Sequence, residues 1–279
     1  MSIISEDTRK QYLSDGYAIL KSLLPVDELQ SINEEINELY ALQLRRMGME
    51  AKSGHAREVF LSNASRLLQA DVQTYIATSR NSQMLPSVHR LLISDPIMQL
   101  AHGMGLEFPV LSTRASIHVM SDELKVPGGY HKTPPHQDWR SIQGSLDNMV
   151  LWVPTTPVSE NSHALEIVPK SHLMGLLPTV EHIMVPSVED PRITEDKYVK
   201  LPVEPGDVIV FSSFMVHKTG EQGDGLARIA LSGRFNNAAE PTYLKHGYPS
   251  PYSYSYRKDL IFEDFPTQAD METIFPEAE

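Results

Sequence analysis

The sequence contains no cysteine. That absence excludes disulfide scaffolds, zinc–thiolate sites, iron–sulfur clusters and cysteine nucleophiles, so any metal centre must be assembled from His, Asp and Glu. Long apolar runs are missing too; nowhere do the roughly 18 consecutive apolar residues of a membrane-spanning helix occur. The opening stretch, MSIISEDTRKQYL, has neither the basic flank nor the apolar segment of a secretion signal. Together these absences predict a cytoplasmic chain that does not engage a membrane. Basic charge is scarce, with 24 Lys and Arg against 36 Asp and Glu and a formal net charge of −12. A phosphate-backbone binder needs a basic footprint, so nucleic acid is not an expected partner. No fixed-period repeat and no low-complexity tract interrupts the chain.

What remains is an ordinary globular composition, 41% apolar and 22% charged over 279 residues. The first hundred residues read as helical. Ser5 caps a short helix that stops near Asp15-Gly16. A second begins around Pro25 and carries the apolar stripe Leu29, Ile32, Ile36, Leu39 and Tyr40, and Asp95-Pro96 opens a third that ends near Gly103 and Gly105. Residues 48–87 are harder to read and hold helix-compatible stretches and a loop. From about residue 109 short β-rich runs recur: Val110–Met120, Met149–Val153, Leu165–Val168, Tyr198–Val203, Val208–Phe211 and Ala227–Phe235. Short strands punctuated by turns predict a sandwich or barrel. The expectation is a mainly β member of the α+β class, a double-stranded β-helix (jelly-roll) core with N-terminal helices packed on it. It forms one domain over 1–279, divided into a helical part at 1–105, the jelly roll at 106–237 and a Tyr/Pro-rich tail at 238–279.

The densest polar cluster is His131-Lys-Thr-Pro-Pro-His136-Gln-Asp138-Trp139-Arg140. On an extended segment His136 and Asp138 point to the same side. With a second distant His they would make the two-His, one-carboxylate triad of non-haem Fe(II) oxygenases, which leaves the remaining coordination positions for a chelating cosubstrate and O2. Alone, a His-x-Asp pair is as readily a hydrogen-bonded strand end.

A second cluster supplies the missing partners. Pro205-Gly-Asp turns into an apolar strand with His217 at its far end; a Gly-rich stretch then turns the chain, and a further strand carries Arg228 outward. His217 and Arg228 are nearly equidistant from that turn, so they reach similar heights whether the strands pair or face each other. Arg228 stands among Ala227, Ile229, Ala230 and Leu231, where a guanidinium is costly to bury without a carboxylate. The C5 carboxylate of 2-oxoglutarate suits its planar fork, with an internal salt bridge the competing reading. Thr219 shares a face with His217 and could donate its hydroxyl to the same carboxylate.

These ordered motifs resemble the phytanoyl-CoA dioxygenase family, a jelly-roll branch of the Fe(II)/2-oxoglutarate oxygenases. They are Pro-Pro-His136-Gln-Asp138, Met-Val-Leu-Trp152-Val-Pro, Leu-Glu-Ile-Val-Pro-Lys-Ser-His172, Pro-Gly-Asp207, and His217 with Arg228 eleven residues on. The resemblance implies Fe(II) on His136, Asp138 and His217, and 2-oxoglutarate held by Arg228 and Thr219 with Trp152 lining its pocket. It also implies O2 as oxidant, release of succinate and CO2, and hydroxylation of an unactivated C–H. The family has Gly where Lys170 stands, and places His172 in a turn outside the metal site. An upstream cosubstrate residue is common in the family; Arg114, Ser116 and His118 are its candidates here. His118 and His131 flank the site in sequence. The remaining histidines read as surface or packing residues.

Trp139, Arg140, Arg234, Asn236 and Asn237 follow the metal motifs and are candidates to line the cavity mouth. Their polarity points to a small polar metabolite as the substrate. A cupin-like metal-dependent isomerase or hydrolase, or a non-catalytic binding protein on the same scaffold, are the competing readings. The first leaves Arg228 and Thr219 without a role, and an intact triad with an intact Arg228 argues against the second. Oligomeric state is not legible.

Overall fold

The computed structural model describes residues 4–126, 132–182, 185–245 and 265–275. Six helices occupy most of the first hundred residues: α1 (Glu6–Asp15), α2 (Val26–Arg46), α3 (Arg57–Ala70), α4 (Val72–Ser82), α5 (Pro86–Leu92) and α6 (Asp95–Met104). The expected punctuation holds at α1, where the Ser5 hydroxyl accepts from the Thr8 amide and Gly16 closes the end with φ +82°. The stretch 48–87, expected to hold helix-compatible segments and a loop, contains α3, α4 and the start of α5. Its short helices bury few residues each, so no long stripe forms in the sequence.

One strand interrupts the helical region. β1 (Tyr17–Leu20) follows Gly16 directly and pairs antiparallel with β9 (Val208–Ser212). The strand-rich part contributes β2 (Pro109–Leu111), β3 (Ser116–Met120), β4 (Met149–Pro154), β5 (Leu165–Ile167), β6 (Thr179–Val180), β7 (Ser187–Val188), β8 (Val199–Leu201), β10 (His217–Thr219) and β11 (Arg228–Asn237). The run expected as Val110–Met120 is thus two strands, both paired with β11. Strands β1, β9, β4, β11 and β2, in that order, with β3 also on β11, make a six-stranded antiparallel sheet; β10, β5 and β8 make a three-stranded one.

Two apolar layers explain the strand composition. One face of the large sheet, including Ala18, Val208, Val210, Leu151, Val153, Ile229 and Leu231, packs on the helices through Leu29, Ile32 and Ile36. The opposite face, with Ile209, Phe211, Val150, Trp152 and Ala230, packs on Leu165, Ile167 and Leu201 of the small sheet. β4 and β9 are therefore buried on both sides, and their sequences read as near-continuous apolar runs, whereas β11, also buried, alternates, with Ile229, Leu231 and Phe235 toward the helices and Arg228, Ser232 and Arg234 toward the small sheet.

The expected single strand ending at His217 is two elements. β9 stops at Ser212, the chain turns through 213–216, and β10 begins at His217 in the other sheet. His217 and Arg228 consequently lie on opposite sheets. Lys170 adopts φ +68°, the left-handed region in which glycine meets no Cβ penalty, and its amide donates to the Asp15 carbonyl.

Candidate metal centre and cosubstrate site

His136 is joined to His217 by a two-way antiparallel bridge, His136 N donating to His217 O at 3.0 Å and His217 N to His136 O at 3.1 Å. The pairing adds His136 to the edge of the small sheet and brings the imidazole centroids to 4.1 Å. Two residues on, the backbone turns into a five-residue helix, α7 (Asp138–Ile142), whose first residue swings its carboxylate back toward both rings. Asp138 Oδ1 lies 3.3 Å from His136 Nε2 and 4.0 Å from His217 Nε2. All three side chains are buried, and their ligand atoms fall within 4.8 Å of one another.

The tautomers suit a metal. His136 Nδ1 donates to the Pro134 carbonyl and His217 Nδ1 to the Met215 carbonyl, each at 2.9 Å, which leaves both Nε2 lone pairs facing the Asp138 oxygen. Burial, with His136 next in effect, lowers the His217 pKa to about 3, so the ring stays neutral. Burial alone would raise the Asp138 pKa; the Arg234 charge, the His136 hydrogen bond and the two imidazoles outweigh it and hold the carboxyl well below its ordinary range. Two neutral imidazoles and one carboxylate form a donor set that fits Fe(II).

Arg228 opens β11 on the inner face of the large sheet and is 3% exposed. Its guanidinium lies 5.2 Å from the Trp152 ring centroid, and its Nε is buried without a hydrogen-bond partner among the described residues. No carboxylate among those residues pairs with it, and burial lowers its pKa to about 9. A buried cation lacking a counter-charge is costly, and an anion placed beside it would offset that cost. Thr219, on β10 with His217, is buried and accepts weakly from the Thr133 amide at 3.4 Å.

The inner face of β11 continues through Ser232 to Arg234, whose Nε donates to Asp138 Oδ2 at 2.8 Å. Of the candidate upstream residues, Arg114 is exposed, whereas Ser116 and His118 sit across from Ser232 and Ala230. His118 Nε2 is 2.9 Å from Ser232 Oγ, and burial, reinforced by the Arg234 and Arg228 charges, lowers its pKa to about 3.

The other mouth candidates are built into the frame. Trp139 stacks on Phe214 at 5.1 Å and donates to the Gly144 carbonyl; Arg140 donates to the Leu177 carbonyl. Asn236 Oδ1 accepts from the Ser145 amide and the Asn148 side chain, so close over Gly144 that a Cβ there would lie 1.7 Å away. Asn237 donates to Asp147. His172 donates to the Leu13 carbonyl, in a turn outside the site. His131 and His246 lie outside the described residues.

Two contributors had no role assigned from the sequence. Gln137, between the two ligands, donates to the Gly175 and Phe214 carbonyls and accepts from the Leu177 amide, each at 2.8 Å. Arg57 of α3 donates to both Asp224 oxygens and to the Ala227 carbonyl, fixing the turn that delivers Arg228. Gln137's place inside the His-x-Asp pair was the available signal; Arg57 offered none.

The fold and site define a non-haem iron, 2-oxoglutarate-dependent oxygenase. More narrowly, the chain belongs to the phytanoyl-CoA dioxygenase (PhyH) family, whose model matches residues 12–229. It is 22% identical to human peroxisomal phytanoyl-CoA dioxygenase over 251 residues, covering 85% of this chain and 70% of that one. It is 30% identical to 1-deoxypentalenic acid 11-beta-hydroxylase of Streptomyces exfoliatus over 100 residues, or 31% of this chain and 34% of the hydroxylase. Here the match spans about a third of the relative's length. AviO1 from Streptomyces viridochromogenes Tue57 shares the fold, with a TM-score of 0.55 at 18% identity, over 90% of this chain and all of that one. Among the described residues no helix is long and apolar enough to cross a membrane.

Proposed function

We propose that this protein is an Fe(II)- and 2-oxoglutarate-dependent dioxygenase that hydroxylates an unactivated C–H of a small polar metabolite. The reading extends to the fold as a double-stranded β-helix in a single domain, supported by two facing antiparallel sheets with the polar site between them. The observation that carries it is the pairing of a buried His136–Asp138–His217 cluster with a buried Arg228 that has no counter-charge among the described residues.

His136, Asp138 and His217 would hold the iron, and Arg228 would receive the distal carboxylate of 2-oxoglutarate beside Thr219 and Trp152. When bound, the iron and cosubstrate supply the oxidising chemistry, with O2 consumed and succinate and CO2 released. The chain's own part is positional. The Pro134 and Met215 carbonyls fix the imidazoles with Nε2 inward. Trp152 packs against the guanidinium and excludes water, and a dry surrounding strengthens its attraction for a carboxylate.

The test is anaerobic titration of the Fe(II)-loaded protein with 2-oxoglutarate, followed through the visible charge-transfer band of the chelate. The band should form in the wild type and be lost in His217→Ala. Arg228→Met should keep metal binding and raise the 2-oxoglutarate concentration needed at least tenfold. Properly loaded protein without a band would sink the cosubstrate assignment and favour a metal-dependent isomerase, hydrolase or binding protein.

A further inference from the structure

We propose that Arg234 is a positioning residue that restricts Asp138 to one metal-facing oxygen, and that Ser232 and His118 hold Arg234 in place. The proposal rests on the metal-site reading above and concerns how that site is kept open.

The two oxygens of Asp138 have different neighbours. Oδ1 faces both imidazoles, 3.3 Å from His136 Nε2 and 4.0 Å from His217 Nε2. Oδ2 points the other way and accepts from Arg234 Nε at 2.8 Å. A charge-assisted hydrogen bond of this length occupies one lone pair of Oδ2, competes with a metal for that oxygen and resists rotation of the carboxylate. Carboxylates left free bind metals through one oxygen or both. The restriction matters because 2-oxoglutarate needs two coordination positions and O2 a third. With two imidazoles already placed, a second Asp138 oxygen would take the position left for O2.

Arg234 is itself fixed. It lies on β11 two residues beyond Ser232, on the same inner face, and its Nη1 donates to Ser232 Oγ at 3.2 Å. Ser232 is buried and meets His118 Nε2 at 2.9 Å across the β11–β3 pairing. A chain of contacts therefore runs from the ligand carboxylate at the start of α7 to side chains on two strands of the large sheet. Outer hydrogen bonds of this kind set ligand orientation, and their loss typically weakens metal binding by ten- to a hundredfold.

The experiment uses Mn(II) in place of iron, with its affinity read from the free-ion EPR signal. Metal-bound water is read from water-proton relaxation in the presence of 2-oxoglutarate. Wild-type protein should bind Mn(II) and retain exchangeable water in the ternary complex. Arg234→Met should bind roughly ten- to a hundredfold more weakly and lose that water as Asp138 turns both oxygens to the metal. Arg234→Lys, which keeps a donor and the charge, should recover part of the affinity and the water signal. Ser232→Ala, a milder change, should weaken binding by a few-fold.

Folded Arg234→Met with wild-type affinity and relaxation would overturn the proposal. Should Arg234→Met fail to fold, Ser232→Ala decides, and an unaltered affinity and relaxation in that variant would overturn it as well. Wild-type protein that does not bind Mn(II) would instead sink the metal-site reading on which the proposal stands.

Discussion

Gln137 shows how much a metal motif depends on the residue between its two ligands. Its side chain satisfies two carbonyls and one amide in the chain segments that flank the site, all buried. Gln137→Ala would leave these backbone groups without partners, at about 3 kcal/mol in total by the cost of unsatisfied buried donors and acceptors. Urea unfolding of the metal-free protein should show a loss of that size with an unchanged slope, and a loss under 1 kcal/mol would show that water replaces the amide. The ligands themselves were legible because His136, Asp138 and His217 fall in an ordered set of motifs with Arg228, not from the His-x-Asp spacing alone. Arg228 was legible as a guanidinium set among Ala227, Ile229, Ala230 and Leu231, where it is costly to bury unpaired. Gln137 and Arg57 were not, because their roles consist of hydrogen bonds to distant backbone. Arg234 stood out in the sequence as a polar strand residue, but its hydrogen bond to Asp138 belongs to tertiary structure.

Among the elements, the helices with marked ends could be read and the strands near the site only in part. The run through Phe214, Met215 and Val216 is as apolar as the strand before it, which hides the turn that moves the chain between sheets. β1 was hidden because four residues between two helices are too few to show a period. The junction of α1 and β1 also carries a titratable group. His172 is fully buried; its Nε2 donates to Leu13, while its Nδ1 abuts Gly16 without a hydrogen-bond partner among the described residues. Burial lowers its pKa to about 4, against the partial support of the Leu13 carbonyl and the Asp15 charge. The unfolded chain, with an ordinary value near 6.5, binds the proton first, so His172 costs stability as pH falls from about 6.5 toward 4. The expected loss between pH 7 and pH 5 is about 2 kcal/mol. Urea midpoints for wild type and His172→Gln at both pH values should converge at pH 5, and parallel shifts would remove His172 as the cause.

In the molecule as a whole, the site draws on both sheets. His217, and His136 through its bridge, belong to the small sheet, while Arg228, Ser232 and Arg234 belong to the large one. Metal and cosubstrate together should therefore stabilise the molecule more than metal alone. At a hundredfold excess over its dissociation constant each ligand adds about 2.7 kcal/mol. Calorimetry with Mn(II), then with Mn(II) and 2-oxoglutarate, should show two successive rises in Tm. Arg228→Met should keep the first and lose the second. A retained second rise would show that another residue captures the cosubstrate.

The position of β1 bears on how the protein can be divided. Tyr17–Leu20 covers the outer side of β9, held further by Lys21 and the Ser22 amide on Asp207 and by the Leu24 amide on the Gly206 carbonyl. A piece cut to residues 106–237 would leave Val208–Ser212 with a row of open amides and carbonyls on a strand that is apolar on both faces. Such an edge is a template for another chain's strand. The strand-rich half expressed alone should self-associate and precipitate, and a peptide spanning the first 24 residues, added during refolding, should suppress the association. The helical half is thus a cover for the sheet's edge as well as its floor.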